Sequence, residues 1–266
     1  MSLEKLVILS SDDKDITSNS NSDFVVSLKE SYYTQNVLKV MIKDVIVPNA
    51  FPNIRGTAYG SSQNNIFVLN DGGMTYQVIV PEGEYVISTL GVPPANDLLT
   101  VLKNLIDVAI APAVVTITLD AITNKLNFSF SAGNWDFVST VNSPLNDVVG
   151  VTGAIGSLSP SLDAQSIPDL SGYSMVYVHS KNIAEANAID GDFGLISVAE
   201  AVSLVNAPYG SYAYRQNEDA ILSTVLYDNP RNLSRIEIVL RDVKGNKLDI
   251  GTLKLTIIFK VILASG

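Results

Sequence analysis

A chain of 266 residues, 47% hydrophobic and 17% charged, with a net charge of −10 at pH 7, has ample apolar material for a core and repels polyanions, which excludes nucleic-acid binding as its main activity. It has no cysteine and one histidine, so disulfides, thiolate chemistry, cysteine-based zinc sites and any site built on several histidines are excluded. The charge content lies below the roughly 25% of ordinary soluble chains, which fits either extensive subunit contact or a β protein rich in Ser, Thr and Asn.

The chain opens on a short apolar stretch, Leu3, Leu6, Val7, Ile8 and Leu9, followed by Ser10–Asp23, dense in Ser, Asp and Asn. The stretch is too short for the apolar region of a secretory signal, and acidic Asp12, Asp13 and Asp15 follow it. Residues 1–22 are expected to form a flexible N-terminal arm. A sticky end on a polar tether suits strand addition to a neighbour, or an edge strand of the chain's own sheet. On the first reading, removing residues 1–20 leaves folding intact.

Strand signals follow at Phe24–Leu28 and, rich in β-branched residues, at Val37–Val47, ended by the turn Pro48-Asn49. Ile66–Leu69 and Tyr76–Val80 flank Asn70-Asp71-Gly72-Gly73, a hairpin turn. Strands joined by turns with no helix between them predict antiparallel structure. After Pro93-Pro94, Asn96 or Asp97 can cap a helix carrying Leu98, Leu99, Leu102, Leu105 and Ile106, stopped by Pro112. Val114–Leu119 and Lys125–Phe130 alternate and are joined by a turn at Ala121–Asn124. Residues 82–153 therefore read as a small α+β module inserted into a discontinuous β base formed by 23–81 and 154–266.

Gly153–Leu170 has the composition of a surface loop or linker. Strand signals return at Ser174–Val178, Leu195–Val205 is ambiguous between helix and strand, and Pro208–Tyr212 with Tyr214 reads as an aromatic turn. Ile221–Tyr227 follows as a strand. Arg235–Arg241 and Leu253–Val261 both alternate strongly, joined by the loop Asp242–Gly251. The longest apolar runs, Val108–Val115 and Leu253–Leu263, are interrupted by Pro112 and by Lys254, Thr256 and Lys260, so neither can span a bilayer.

No catalytic, cofactor-binding or metal-binding residue is assigned. His179, at a strand end before Ser180 and Lys181, could serve as the base of a triad, but no nucleophile elbow accompanies it and ordinary surface is the simpler reading. Asp71-Gly72-Gly73 and Asp190-Gly191-Asp192 lack the further acids of a calcium loop and read as turns. Gly150–Gly156 matches neither nucleotide fingerprint. Trp135 and the eleven tyrosines are read as core and sheet packing rather than a recognition platform.

The order of segments resembles a known family. A Ser/Asn/Asp-rich leader runs into Asp23–Leu28, and a long strand ends in Val47-Pro48-Asn49-Ala50-Phe51-Pro52-Asn53-Ile54, followed by Asn64-Asn65. Pro81-Glu82-Gly83-Glu84-Tyr85 with Leu90 comes next, then Leu145–Gly150, Ile236–Leu240, Asp242, Gly245-Asn246 and Leu248-Asp249. Over nearly its whole length the chain looks like the penton or minor capsid proteins of virophages, polinton-like viruses and related large double-stranded DNA viruses. That resemblance implies a jelly-roll sandwich with an outward-displayed insertion, without enzymatic activity or cofactors. It implies a homo-oligomer, a pentamer closing the fivefold vertex beside major capsid protein neighbours in the virion, with the insertion available to a host receptor. The chain is short for a major capsid protein with two jelly rolls, which favours the penton role. The alternatives are a receptor- or carbohydrate-binding module of a viral fibre or spike, a trimeric minor capsid protein, and a hydrolase on a β scaffold.

Overall fold

In chain order the strands are β1 (Leu3–Ser10), β2 (Asp23–Ser27), β3 (Thr34–Pro48), β4 (Ile66–Asn70), β5 (Thr75–Ile79), β6 (Val115–Leu119), β7 (Leu126–Phe130) and β8 (Asp136–Phe137). They continue with β9 (Ser161–Asp163), β10 (Met175–His179), β11 (Val198–Ser203), β12 (Tyr212–Gln216), β13 (Thr224–Leu233), β14 (Arg235–Arg241) and β15 (Thr256–Leu263). The α-helices are α1 (Leu98–Ala109) and α2 (Leu145–Val148). The computed structural model describes residues 3–28, 34–88, 92–138, 143–180, 198–216 and 224–264. The protein is mainly β, and its sheets are antiparallel.

The chain divides into two compact units, Met1–Phe51 with Tyr173–Gly266, and Pro52–Gly172. In the first, one sheet has the order β1-β15-β3-β12, with β13 also on β3, and the other has the order β11-β10-β14-β2. Counting β1, β2, β3, β10, β11, β12, β14 and β15 as first to eighth, the orders are 1-8-3-6 and 5-4-7-2. This is the double Greek key of a jelly roll. β12 pairs with residues 44–48 of β3 and β13 with residues 34–41, so the sixth position is filled in two pieces.

The long strand β3 shows how sequence parity becomes structure. Val40 and Ile42 are buried, then Val45 and Val47 are, a switch from even to odd positions. A strand with period two would turn one pair to solvent. The register shift between Ile258 and Phe259 absorbs the extra residue, because Ile258 opposes Asp44 while Phe259 opposes Ile42, leaving Lys43 as the bulge.

The N-terminal stretch is the sandwich's own edge strand rather than a free arm. β1 pairs with β15 over eight positions, Leu3 opposite Leu263 to Ser10 opposite Thr256, and Val7 and Leu9 are buried. Their alternation matches Phe259 and Ile257, so docking removes apolar surface from water at every second residue. Tyr212 and Tyr214, expected in a turn, belong to the strand β12, because Ala213 can bury against β3 while the two tyrosines face out.

The second unit holds two three-stranded sheets, β5-β4-β8 and β6-β7-β9, and both helices around one core. Phe67, Phe128 and Phe137 meet at its centre, with ring centroids 5.3–6.2 Å apart. Asp97 caps α1, accepting from the Thr100 N–H at 2.9 Å. The bounds of this unit are wider than the 82–153 read from sequence. The β4–β5 hairpin, assigned there to the base, pairs with β8 and places Phe67 and Leu69 in this core. Residues 161–163, within the expected linker, form β9 and bury Leu162. The ambiguous Leu195–Val205 contributes β11, with 195–197 outside the described residues.

Candidate assembly surface

The groups singled out for chemistry are spent on structure. His179 is buried at the end of β10 between Val198 and Val239, not on the surface. Asp71 Oδ1 accepts from the Gly73 and Met74 N–H groups and Oδ2 from the Tyr76 hydroxyl, and these bonds hold its carboxyl below the usual range. It is a turn cap. Asp190 and Asp192 lie outside the described residues. Trp135 is buried, stacked on Phe130 and edge-on to Tyr76. Among the described residues no cluster of three or more His, Asp or Glu could hold a metal ion. No described helix is long and apolar enough to cross a membrane.

The Asn and Glu positions that carry the family resemblance form a polar staple within the second unit. The Asn53 side chain accepts from the Tyr85 N–H and donates to the carbonyls of Tyr85 and Leu170. Asn64 accepts from the Arg55 N–H and donates to the Asn53 carbonyl, and Asn65 donates to the Val80 carbonyl. Glu84 accepts the Asn53 N–H at 3.1 Å, and partial burial pushes its carboxyl up. Buried amides paired this way fix backbone geometry. Gly150 is equally constrained: its φ is +80°, and a Cβ there would stand 2.2 Å from the Ser166 carbonyl oxygen.

The surface left with unexplained chemistry is the outer face of the β1-β15-β3-β12 sheet. Its inner face is buried hydrocarbon, Val7, Leu9, Ile257, Phe259, Val261 and the β3 valines. On the outer face Leu6, Lys260 and Met41 share one row, and Ile8, Ile258, Asp44 and Gln216 another. Ile46 lies between Thr256 and Tyr214. Glu4 and Lys260 form an ion pair at 2.7 Å, and the Tyr214 hydroxyl donates to Asp44 at 2.8 Å, which raises the phenol's pKa. Exposure is greatest at the two edges: Leu6 66% and Ile8 63% on β1, Tyr212 52% and Tyr214 59% on β12, and Leu226 73% on β13. The outward positions of the other sheet mix charged and apolar groups, Arg235, Glu237 and Arg241 alternating with Val239 on β14, and Asp23 and Ser27 flanking Val25 on β2.

The two edge strands that follow one another in the chain are finished differently. The outer edge of β2 is covered by the Ser/Asp-rich connector. Val25 O accepts from the Asp15 N–H at 2.7 Å, Val25 N–H donates to Ser18 Oγ at 3.0 Å, Ser27 N–H donates to Asp15 Oδ1 at 3.1 Å, and Asp23 O accepts from the N–H groups of Asn19 and Ser20. The outer edge of β1 has no strand partner among the described residues. Beside it runs a groove of about 430 Å³ bounded by Val7, Leu9, Val26 and Leu28, with Asp12 and Asp13 on its lining.

No family model matches the chain, and no curated protein matches it. Among solved structures it is similar to the mavirus penton protein at 8% identity, over 99% of this chain and 100% of that one, with a TM-score of 0.49. At that identity and score the likeness assigns no role to any residue.

Proposed function

We propose that the chain is a structural subunit of an icosahedral viral shell, the penton that closes the fivefold vertex as a homopentamer beside major capsid protein neighbours. The observation that carries this reading is a jelly roll whose β1 and β12–β13 edges expose Leu6, Ile8, Tyr212, Tyr214 and Leu226. Large apolar and aromatic side chains grouped on sheet edges in this way fit contact with other proteins. The order of segments in the sequence supports the same assignment, and the inserted unit is the part displayed outward, where it can meet a host receptor. Catalysis forms no part of the reading.

Cryo-electron microscopy of particles from the source tests it. Density for the jelly roll at the fivefold axes is expected. Density at local threefold positions would give the chain the role of a trimeric minor capsid protein. Particles that lack it at both positions, together with a specific hit on a glycan array, would make it a receptor-binding module.

A further inference from the structure

We infer that neighbouring copies of this chain join edge to edge, the open edge of β1 in one copy adding to the β12–β13 edge of the next, so that the outer sheet runs continuously from subunit to subunit. The inference deepens the shell-subunit reading and rests on it.

Four observations converge on this pairing. First, the edges are unequal. β2 is sealed by Asp15, Ser18, Asn19 and Ser20, whereas on β1 only the Ser10 N–H is capped, by Asp13, and no described residue pairs with the edge at Leu6 and Ile8; proteins that avoid strand addition seal such edges. The Ser11 N–H to Leu255 carbonyl bond of 2.9 Å continues the β1–β15 ladder. By antiparallel alternation Val7 and Leu9 therefore bond to β15, and the N–H and C=O groups of Leu6 and Ile8 point to the open side.

Second, the strand directions fit. β1, β15, β3 and β12 alternate in direction, so β1 and β12 run oppositely. A second copy rotated about an axis along the strands sets its β12 antiparallel to β1, and the alternation continues without a break. Such a head-to-tail contact closes into a ring when the rotation from copy to copy divides a full turn. Third, the exposed apolar residues sit at the two edges that would meet, Leu6 and Ile8 on one, Tyr212, Tyr214 and Leu226 on the other, where cross-strand pairing would cover them.

Fourth, one charge is placed to meet its opposite. Arg215 lies on the same side of β12 as buried Ala213, the side that faces the groove lined by Asp12, Asp13 and Lys14 once the sheet is continued. Asp12 is already paired with Lys254 and Glu4 with Lys260, so Asp13 is the groove acid left to meet Arg215.

Complementation of two blocked edges tests the pairing. Ile8→Pro removes an N–H aimed at the open side of β1 while sparing the β15 ladder, and Tyr214→Pro does the same on β12, where the Asn49 N–H to Ser211 carbonyl bond of 2.8 Å sets the phase. Each full-length variant alone is expected to be monomeric in sedimentation and native mass spectrometry, with self-association at least tenfold weaker than wild type. Mixed, they should form a one-to-one dimer and nothing larger, because one compatible pair of edges remains. Ile8→Lys and Tyr214→Lys replace any proline variant whose circular dichroism departs from wild type.

A folded mixture that stays monomeric, a single variant that assembles like wild type, or a wild-type chain that is monomeric at millimolar concentration would overturn the edge pairing. None of these outcomes touches vertex density in particles. Shell subunits joined through another surface would still appear there.

Discussion

The jelly-roll unit and the inserted unit are closed by opposite strategies. In the jelly roll, Leu3–Ser10 lies against Thr256–Leu263 and Asp23–Ser27 against Arg235–Arg241, so residues from opposite ends of the chain complete both sheets. In the inserted unit β4 pairs with β5 and β6 with β7 across turns of a few residues, and one helix of 12 residues packs on the same core. Loop-closure entropy opposes the first arrangement until both partners exist, while the second starts from local hairpins to which β8 and β9 add across longer loops. A deletion should therefore be judged by which pairing it removes rather than by its length.

The largest expected effect follows from that contrast. Deleting Leu3–Ser10 exposes the hydrogen-bonding edge of β15 and removes Val7 and Leu9 from the core. Losing a single buried Leu costs about 2–5 kcal/mol, and losing the whole strand exceeds what a marginally stable domain can absorb. The jelly roll should unfold, as read by circular dichroism and amide exchange. Excising the far longer Pro52–Gly172 should leave it folded, because the flanking Phe51 and Tyr173 rings are in edge-on contact at 5.6 Å and a short Gly-Ser linker spans the gap. Excising only 82–153 should fare worse than the larger cut, because it takes β8 from β4 and strands Phe67 in water. Survival of the truncated N-terminus, or collapse on clean excision, would erase the distinction.

A smaller effect sharpens it. Phe259→Ala in the jelly roll and Phe128→Ala in the inserted unit each remove a fully buried ring and should cost about 3–5 kcal/mol. With separate cores, calorimetry should show two transitions, each variant lowering only its own. One shared transition moved by both substitutions would mean that the chain unfolds as a single unit.

What could be read in the sequence tracks the same division. The helix before Pro112 with its cap at Asn96 or Asp97, of which the structure uses Asp97, the Asn70–Gly73 turn and the alternation of β6 and β7 are local patterns, and the structure contains each of them. The alternation of Arg235–Arg241 likewise marks a strand. The role of Leu3–Leu9 was undecidable because its partner lies some 250 positions on. β9 was missed because Ser161-Leu162-Asp163 carries a single apolar residue, and only its pairing with β7 makes it a strand. That His179 sits between β11 and β14 is likewise something spacing does not reveal. For the assembly surface, exposed Tyr212 and Tyr214 were visible as an aromatic cluster. Nothing local said that they share a sheet with Ile8, or that Asp15 and Ser18 seal one edge and leave the other open.

The finest test of separate units is a proton. Burial raises the Glu84 carboxyl in the inserted unit above its ordinary value, against the lowering effect of the Asn53 N–H. A raised value means that the folded state holds this proton more tightly than the unfolded chain does. The stabilisation from this group is then complete below the unfolded value of about 4.3 and is lost as pH rises through the folded one. Asp71 and Asp120, both lowered by turn hydrogen bonds, act with the opposite sign and lose their contribution only as pH falls through their depressed values. Glu84→Gln keeps an acceptor for Asn53 but cannot titrate. Relative to this variant, the wild-type inserted-unit transition should fall in temperature as pH rises above about 4.3, while the jelly-roll transitions of the two proteins coincide at every pH. A Glu84-dependent shift in the jelly-roll transition would show that the polar staple stabilises both units together, and the contrast between a locally built insertion and a long-range sandwich would fail.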